Sequence, residues 1–438
     1  MQSYDSPAVR KPVHFITGCL ILALSYVLQR DTLFLLIIAG AAFSFATFNY
    51  GRFDPLHKTP WSSLGTLFYP LGVISSFLIL YHQPVCFFRA VIMVLTVSDI
   101  AAWLAGQKIK KFNVRFRVWH DKKSMWGSVA FAVSSIPVWL IFLPSLNPAG
   151  IAWFLLLVVV SVNFEAVSYR GSDNLTIPLG LSLFLLISEN QTFNPSLILI
   201  IILFFAAGCF LLYKWHILDR LASLSAYLLG IWFALMGFEW LVPVLFFFVS
   251  SVLFTRLHTF LSKRKRSSGR RDFWQVLANI IWALLSSVLF MITQNELFIY
   301  FFIALLAAVT ADTWASELGP LFNKKCFSVA DFRMHAAGTT GGISAGGTMA
   351  ALFASAAVSM ISLYLFFGEL SIAVLAILAA SGFLACFADT FAGAFIEGKL
   401  LRSKIFGRGG RGPTPNDLVN IIGSATAPLF FFIISRVA

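Results

Sequence analysis

Residues 297–319 read LFIYFFIALLAAVTADTWASELG, and this stretch decides the fold. The part that ends at Val309 is continuously apolar and predicts a membrane-spanning segment, yet Asp312 and Glu317 follow within the same run. A charged side chain inside such a segment costs roughly 2.5–3.5 kcal/mol on insertion scales, so it is rarely kept without a role. The stretch therefore indicates a transmembrane helix that carries functional carboxylates.

Two other apolar stretches contain looser copies of this motif. They read SDIAA around Asp99 and ADTFA around Asp389, so each has a small residue before the aspartate and an alanine three residues after it. Three such sites in one membrane protein suggest a polar centre that holds a cation or a phosphate group.

The composition is that of a polytopic membrane protein. Hydrophobic residues make up 59% and charged residues only 12% of the 438 residues, whereas soluble domains carry about 25% charged residues. The five cysteines show no CxxC spacing and indicate neither a disulfide framework nor a zinc site. The sequence predicts an all-α fold with about 15 transmembrane helices, at 14–28, 32–48, 64–81, 84–106, 127–143, 148–163, 175–189, 196–213, 221–238, 240–255, 273–292, 297–318, 339–366, 369–396 and 418–436.

The distribution of positive charge predicts the orientation of these helices. If the N-terminus is cytoplasmic, all of the 32 lysines and arginines except Arg30, Arg89 and Arg436 fall on the cytoplasmic side. This is the pattern of the positive-inside rule. Membrane topology and contact with anionic lipids thus explain the net charge of +13. Attraction of an anionic substrate is the alternative explanation. We expect no nucleic-acid partner.

The intramembrane carboxylates share one side of this topology. Asp99, Asp312 and Asp389 all lie near the cytoplasmic ends of their predicted segments. An enzyme that brings a cytoplasmic cosubstrate to a membrane substrate needs this arrangement, whereas transporters more often place polar residues near the bilayer midplane.

The chain also divides near residue 214 into domains 1–213 and 214–438, each with its own Asp motif and basic loop.

The first half offers candidates near the starts of its predicted helices, where side chains and free N–H groups can hold a phosphate. Plainer explanations stay open: a topology anchor for the basic residues before position 14, an ordinary helix start at 65–66, and a helix N-cap at 173–174. The candidates are the catalytic residues Asp99 and Lys123 and the substrate- or nucleotide-binding residues Arg10, Lys11, His14, Thr66, Ser124, Glu165, Asp173 and Asn174.

The second half carries a longer set of polar residues. Gln275 and Asn279 share one helix face, whereas Asp312 and Glu317 lie about 140° apart on a helix that Gly319-Pro320 should end. The strip 338–348 is rich in glycine, which can expose N–H groups to phosphates or let helices pack closely. The candidates are the catalytic residues Asp312, Glu317 and Asp389 and the binding residues Arg271, Asp272, Gln275, Asn279, Thr339, Thr340, Gly341, Gly342 and Ser344.

These residue types favour metal-assisted phosphoryl transfer. Carboxylates supply the hard oxygen ligands that suit Mg²⁺, and lysine and arginine stabilise the charge of a transferring phosphoryl group. The sequence has no Walker A motif and no protein-kinase signature, so a nucleotide site would be of another type. The predicted metal ligands are Asp99, Asp173, Asp312 and Asp389.

The second half resembles a known membrane family. DTWASELG at 312–319 and GTTGGIS at 338–344 resemble the motifs of the plant and cyanobacterial phytyl-phosphate kinases, over roughly 215–438. Two positions depart from that pattern: Thr340 stands where Asn is expected, and Ala388 where Gly is usual.

The first half is similar to the phytol kinase and dolichol kinase family, which also resembles membrane CDP-lipid synthases. The resemblance lies in the Arg10 to His14 stretch, Asp99 with Gly106, and the stretches 123–128 and 165–178, with Ser98 where Gly is expected.

Together the two resemblances imply a membrane-embedded kinase that converts an isoprenoid alcohol to its monophosphate and then to its diphosphate. They imply Mg²⁺ and a nucleoside triphosphate, CTP first among them, and active sites that face the cytoplasm. The expected partners are the isoprenoid alcohol, its monophosphate and membrane lipids. Two alternatives stay open: a transporter or flippase for phosphorylated lipids, and a cytidylyltransferase that forms a CDP-lipid.

Overall fold

The protein is an all-α polytopic membrane protein. Within the described ranges, eleven helices are long and apolar enough to cross a membrane, and four shorter apolar helices accompany them. Each of the fifteen corresponds to one predicted segment, which confirms the predicted fold class. The computed structural model describes residues 7–48, 64–109, 115–118, 121–142, 147–169, 171–190, 194–262, 270–397 and 413–437.

The chain folds as two compact units, Met1–Phe205 and Ala206–Ala438, which we call the N-terminal and C-terminal units. The division lies a few residues before the predicted boundary at 213/214. It falls inside a long helix, whereas the sequence pattern placed it in the polar loop that follows that helix.

The N-terminal unit is a helical bundle with one short hairpin. Pro148 begins one of its helices after Asn147, whose side chain accepts a hydrogen bond from the Gly150 N–H and so caps that helix. A π-helical turn, Val94–Ser98, comes directly before Asp99. The elements are α1 Pro7–Val27, α2 Arg30–Thr47, α3 Gly65–Ile79, α4 Val85–Met93, α5 Asp99–Lys108, β1 Arg115–Val118, β2 Asp121–Ser124, α6 Met125–Phe142, α7 Pro148–Val167, α8 Asp173–Asn190 and α9 Pro195–Lys214, which crosses into the second unit.

The C-terminal unit is built around the helix that carries Asp312 and Glu317. This helix, α13, packs against α11, α12, α14, α15 and α17. The elements are α10 Arg220–Met236, α11 Phe238–Ser262, α12 Phe273–Thr293, α13 Leu297–Phe322, β3 Lys325–Ser328, β4 Met334–Ala336, β5 Gly342–Ile343, α14 Ala345–Phe367, α15 Ile372–Ala392, α16 Pro415–Ser424 and α17 Ala427–Val437.

Small residues allow the helices around α13 to approach closely. An added Cβ at Gly382 would lie 2.6 Å from both Ala307 Cβ and Ser355 Oγ. Because lipid offers no hydrophobic drive for helix association, such close packing stabilises membrane bundles. α13 therefore lies in the middle of the unit.

Several predicted helix boundaries differ from the structure, and two of them border the polar segment after α13. α13 continues through Pro320 to Phe322, since a proline in the last turn removes only one backbone donor. α14 begins at Ala345 and not at residue 339, because Gly338 and Gly341 adopt positive φ angles of 88° and 73° that a helix cannot contain. The polar segment between them folds as a small antiparallel sheet of order β4-β3-β5, which the sequence pattern did not predict.

Candidate functional site

A large cleft occupies the polar end of the C-terminal unit, with a volume of about 1110 Å³. It brings together residues from α11, α12, α13, α14, α15 and α16. Every predicted site residue of the second half lines it except Asp272: Arg271, Gln275, Asn279, Asp312, Glu317, Thr339, Thr340, Gly341, Gly342, Ser344 and Asp389. Asp272 instead caps α12, where its carboxylate accepts a hydrogen bond from the Gln275 N–H at 3.0 Å.

Two carboxylates meet at one end of this cleft. The side chains of Asp312 on α13 and Asp389 on α15 lie within hydrogen-bonding reach of each other. They border a small cavity of about 10 Å³ together with Asn279 and Asn420. Gly423 on α16 leaves room for this arrangement, since a Cβ there would lie 2.6 Å from the Asp389 Cβ. The structure thus brings Asp312 and Asp389 together, and their joint role in one site stays a prediction.

This pair sets a clear electrostatic requirement. Two adjacent carboxylates repel each other when both are ionised. They therefore either share a proton or hold a cation between them. Among the described residues, no group of three or more His, Cys, Asp or Glu could hold a metal ion. Two carboxylates with neighbouring amide oxygens nevertheless fit Mg²⁺, which is usually bound by one or two carboxylates and keeps several waters or substrate phosphates.

Glu317 belongs to a separate hydrogen-bonded network on the other side of α13. Its carboxylate contacts His258 Nδ1 at 2.8 Å and accepts a hydrogen bond from Thr255 Oγ1 at 2.9 Å. Arg271 donates to Thr255 Oγ1 at 3.2 Å and to Ser251 Oγ at 2.9 Å. The predicted angular separation of Asp312 and Glu317 is therefore confirmed.

Sequence reasoning missed His258 and Thr255 entirely. The signal was present: Ser251, Thr255 and His258 are spaced by four and three residues, so they share one face of α11. Such a polar face inside a predicted membrane segment must turn to protein or water. Both His258 and Thr255 line the cleft.

The glycine-rich strip contains two different structures. Its first part is a turn in which Gly341 lies against Ala394 and Gly342 lies against the Cys326 sulfur. Its second part starts α14, where Ser344 Oγ accepts a hydrogen bond from the Gly347 N–H at 3.2 Å. Gly347 also lies against Gly319 of α13, since an added Cβ at Gly347 would lie 3.6 Å from the Gly319 Cα. The turn borders the cleft and the helical part packs closely on α13, while phosphate binding by the turn stays a prediction.

The N-terminal unit has a polar cluster of a different kind. Lys11 pairs with both carboxylate oxygens of Asp99, and its Nζ lies 3.7 Å from Asp173 Oδ2. Lys123 Nζ donates to Glu165 Oε1 at 2.6 Å and to the Glu165 carbonyl at 2.8 Å. Burial opposes the charge of Lys123, but Glu165 and Asp173 outweigh it and raise the pKa of Lys123.

The closest partner of Asp99 is therefore a lysine. The sequence predicted that Asp99 and Asp173 bind a metal ion, but an ammonium group already neutralises Asp99. Lys11 is thus the cationic partner of Asp99, and Lys123 is the cationic partner of Glu165.

The other predicted residues of the first half have structural contacts. His14 is buried and stacks on Tyr69 with ring centroids 4.6 Å apart. Asn174 Nδ2 donates to the Gly65 carbonyl at 3.1 Å, and Ser124 Oγ accepts from the Gly127 N–H at 2.9 Å. Thr66 lies in the first turn of α3, and its carbonyl accepts from Ser44. The side chain of Arg10 lies outside the described residues.

The fold and the cleft define a polytopic α-helical membrane protein with a carboxylate-bearing polar site. The chain belongs to the DUF92 family of integral membrane proteins, whose sequence profile matches residues 200–427. It is 33% identical, over 164 residues, to a protein of Methanocaldococcus jannaschii described as an uncharacterized membrane protein. That similarity covers 37% of this chain and 67% of the relative. No solved structure matches the chain.

Proposed function

We propose that the protein is an isoprenoid kinase that forms an isoprenyl monophosphate from the alcohol and then the diphosphate. The observation that carries this proposal is the meeting of Asp312 and Asp389 beside a glycine turn in one large cleft. Charged phosphates need such a combination of cation site, exposed N–H groups and basic side chains.

In this proposal the C-terminal cleft performs the second phosphorylation. The Thr339 and Gly342 N–H groups are bonded within the turn, so Arg271 and the N–H groups of Thr340 and Gly341 bind phosphates of the donor, and Asp312 and Asp389 would hold Mg²⁺. The metal ion, when bound, neutralises charge on the donor phosphates. An oxygen of the acceptor monophosphate attacks the γ-phosphorus, and the nucleoside diphosphate leaves with the electrons of the broken P–O bond.

His258 has a defined role in this reaction. Its Nδ1 contacts Glu317, so Nε2 is the ring nitrogen left for substrate. The acceptor monophosphate has a second pKa near 6 and retains a proton on part of its population at neutral pH. His258 takes that proton as the acceptor oxygen attacks, while Glu317 orients the ring.

The N-terminal cluster is assigned the first phosphorylation. An alcohol must lose its proton during transfer, and Asp99 is the candidate base. Lys123, which Glu165 holds in place, stabilises the charge that develops on the transferring group. Since the lysines and aspartates lie where the positive-inside pattern predicts the cytoplasm, both sites would use a cytoplasmic nucleotide.

The direct test uses purified full-length protein in detergent with CTP, Mg²⁺ and either geranylgeraniol, phytol or their monophosphates. Mass spectrometry should detect monophosphate and diphosphate together with CDP. Release of pyrophosphate with a CDP-lipid would identify a cytidylyltransferase instead. Formation of neither phosphate with any nucleoside triphosphate would contradict the proposal, and nucleotide-independent substrate movement in liposomes would identify a flippase.

A further inference from the structure

The β3–β4 hairpin carries an apolar outer face. Phe327 and Met334 are directly paired across the two strands, so their side chains share one side of the hairpin. They are 41% and 60% exposed, whereas Cys326 and Ser328, which alternate with Phe327 along β3, are 3% exposed. Phe332, at the tip, is 75% exposed and its ring lies 6.1 Å from that of Phe327. We call Phe327, Phe332 and Met334 the aromatic face.

The tip of the hairpin is held in a fixed shape. Phe332 has a φ of 57°, a conformation that bulky residues rarely adopt. The Phe332 N–H donates to the Ser328 carbonyl at 3.0 Å, and the Ser328 N–H donates to the Arg333 carbonyl at 2.9 Å. Asp331 bonds to His335 at 2.8 Å, and this hydrogen bond lowers the pKa of Asp331. These hydrogen bonds therefore hold Phe332 in its exposed position at the tip.

Two basic residues adjoin the aromatic face in the sequence. Lys325 and Arg333 are exposed, as is Asp331, the acidic residue of the tip, whereas the neighbouring Lys324 lines the cleft. Aromatic rings beside lysine and arginine are typical of protein surfaces at the level of lipid headgroups, where the rings meet the acyl chains and the cations meet phosphates. The charge complements anionic lipids.

The position of the hairpin in the chain brings it to the membrane surface. It begins directly after α13, a membrane-spanning helix that ends at Phe322. The edge groups of a small sheet cannot be satisfied in hydrocarbon, so the hairpin cannot enter the bilayer core. The interfacial layer accommodates both its polar backbone and its apolar face.

We propose that the aromatic face docks into the headgroup layer of the membrane that α13 crosses, with Lys325 and Arg333 on anionic lipid phosphates. The hairpin leads into the glycine turn, and β5 pairs with β3 on its other side. Docking therefore anchors one wall of the cleft to the membrane surface.

The test measures the depth of a nitroxide spin label and needs no enzymatic activity, so it is independent of the proposed kinase reaction. Labels are placed at Phe332→Cys and Met334→Cys in full-length protein whose native cysteines are alanine, reconstituted in vesicles with phosphatidylglycerol. Phe353→Cys, an exposed position within α14, calibrates lipid exposure. Glu369→Cys, an exposed position between α14 and α15, calibrates water exposure.

The hairpin labels should show a ratio of oxygen to nickel-chelate accessibility several-fold above that at position 369. A ratio equal to that at position 369 would show a face open to water, and shielding from both reagents would show a protein cover. Either result would overturn the proposal.

A second measurement uses the unmodified chain. Hydrogen exchange of residues 325–336 in nanodiscs should be several-fold slower with phosphatidylglycerol than with phosphatidylcholine alone. The Lys325→Gln/Arg333→Gln variant should lose this dependence on lipid charge. Equal exchange of the wild type in the two lipids would contradict docking on anionic lipid.

Discussion

The two units balance buried charge in opposite ways. In the N-terminal unit, Asp99 pairs with Lys11 and Glu165 pairs with Lys123, so each carboxylate has a cation from the chain itself. In the C-terminal unit, the side-chain partner of Asp312 is a second carboxyl group, that of Asp389.

This difference separates charges that are paired within the chain from charges that need a ligand. A buried ion pair with good geometry is complete in itself, and removal of one partner leaves an uncompensated charge. A carboxylate pair is completed only by a proton or a bound cation. The N-terminal cluster is thus organised before any ligand binds, whereas the C-terminal pair depends on one.

The largest expected effect is a separation of the two phosphorylation steps. Asp312→Asn should slow diphosphate formation by at least about 100-fold, as expected for loss of transition-state charge stabilisation, and leave monophosphate formation intact. Lys123→Met should do the reverse. Separate assays with alcohol and monophosphate measure each step, with the exposed Asp331→Asn as control. Loss of both steps in either variant would mean that the units do not act separately.

A stability experiment sharpens the contrast in the N-terminal unit. Lys11→Met should lower the free energy of unfolding by about 3–5 kcal/mol, because Asp99 would remain buried without its cation. The double variant Lys11→Met/Asp99→Leu should recover much of that loss. Unfolding by SDS in mixed micelles measures the difference, and the exposed Lys324→Met should change it by no more than about 0.5 kcal/mol. Additive losses in the double variant would contradict a buried pair.

The glycine turn of the C-terminal unit should respond to a single methyl group. Gly341→Ala should cost about 1–3 kcal/mol, since alanine is strained at a φ of 73° and its Cβ would contact Ala394. Thermal unfolding measures this loss. Gly208→Ala is the matched control: its added Cβ meets no atom within 4 Å, and helix propensity should stabilise it by up to about 1 kcal/mol. Equal effects at both positions would show that the turn is not constrained.

The smallest effect concerns the network around Glu317. Thr255→Val removes the hydroxyl between Glu317 and Arg271 and should reduce the rate of the second phosphorylation by about tenfold, equivalent to one hydrogen bond of about 1.4 kcal/mol. Thr293→Val, at the exposed end of α12, removes only the hydroxyl bonds with the Leu289 carbonyl and the Asn295 N–H, outside the cleft lining, and should leave the rate unchanged. A full rate in Thr255→Val would exclude the network from the reaction.

The sequence alone was sufficient for the helices and for much of the C-terminal site. Apolar runs of membrane length can bury their backbone groups only as helices, which is why all fifteen segments were found. The repeated motif around Asp312 and Asp389 indicated a shared polar centre, because carboxylates within membrane segments are costly in lipid and usually face the interior of the helix bundle.

Contacts between residues far apart in the chain could not be predicted from the sequence. Lys11 and Asp99 are 88 residues apart, and no local pattern predicts that their side chains meet. The partnership of Glu317 with His258 and the pairing of β3 with β4 and β5 likewise depend on how helices and loops pack. The predicted metal role of Asp99 was made without this ammonium partner, which comes from a helix distant in the sequence.

The most direct test of this contrast is Mn²⁺ binding, followed by electron paramagnetic resonance on the full-length protein in detergent. Mn²⁺ stands in for Mg²⁺ because both prefer oxygen ligands. We expect a Mn²⁺ site that Asp312→Asn/Asp389→Asn abolishes and that Asp173→Asn, beside the Lys11–Asp99 pair, retains. Unchanged binding in the Asp312/Asp389 double variant, or loss of binding in Asp173→Asn, would contradict it.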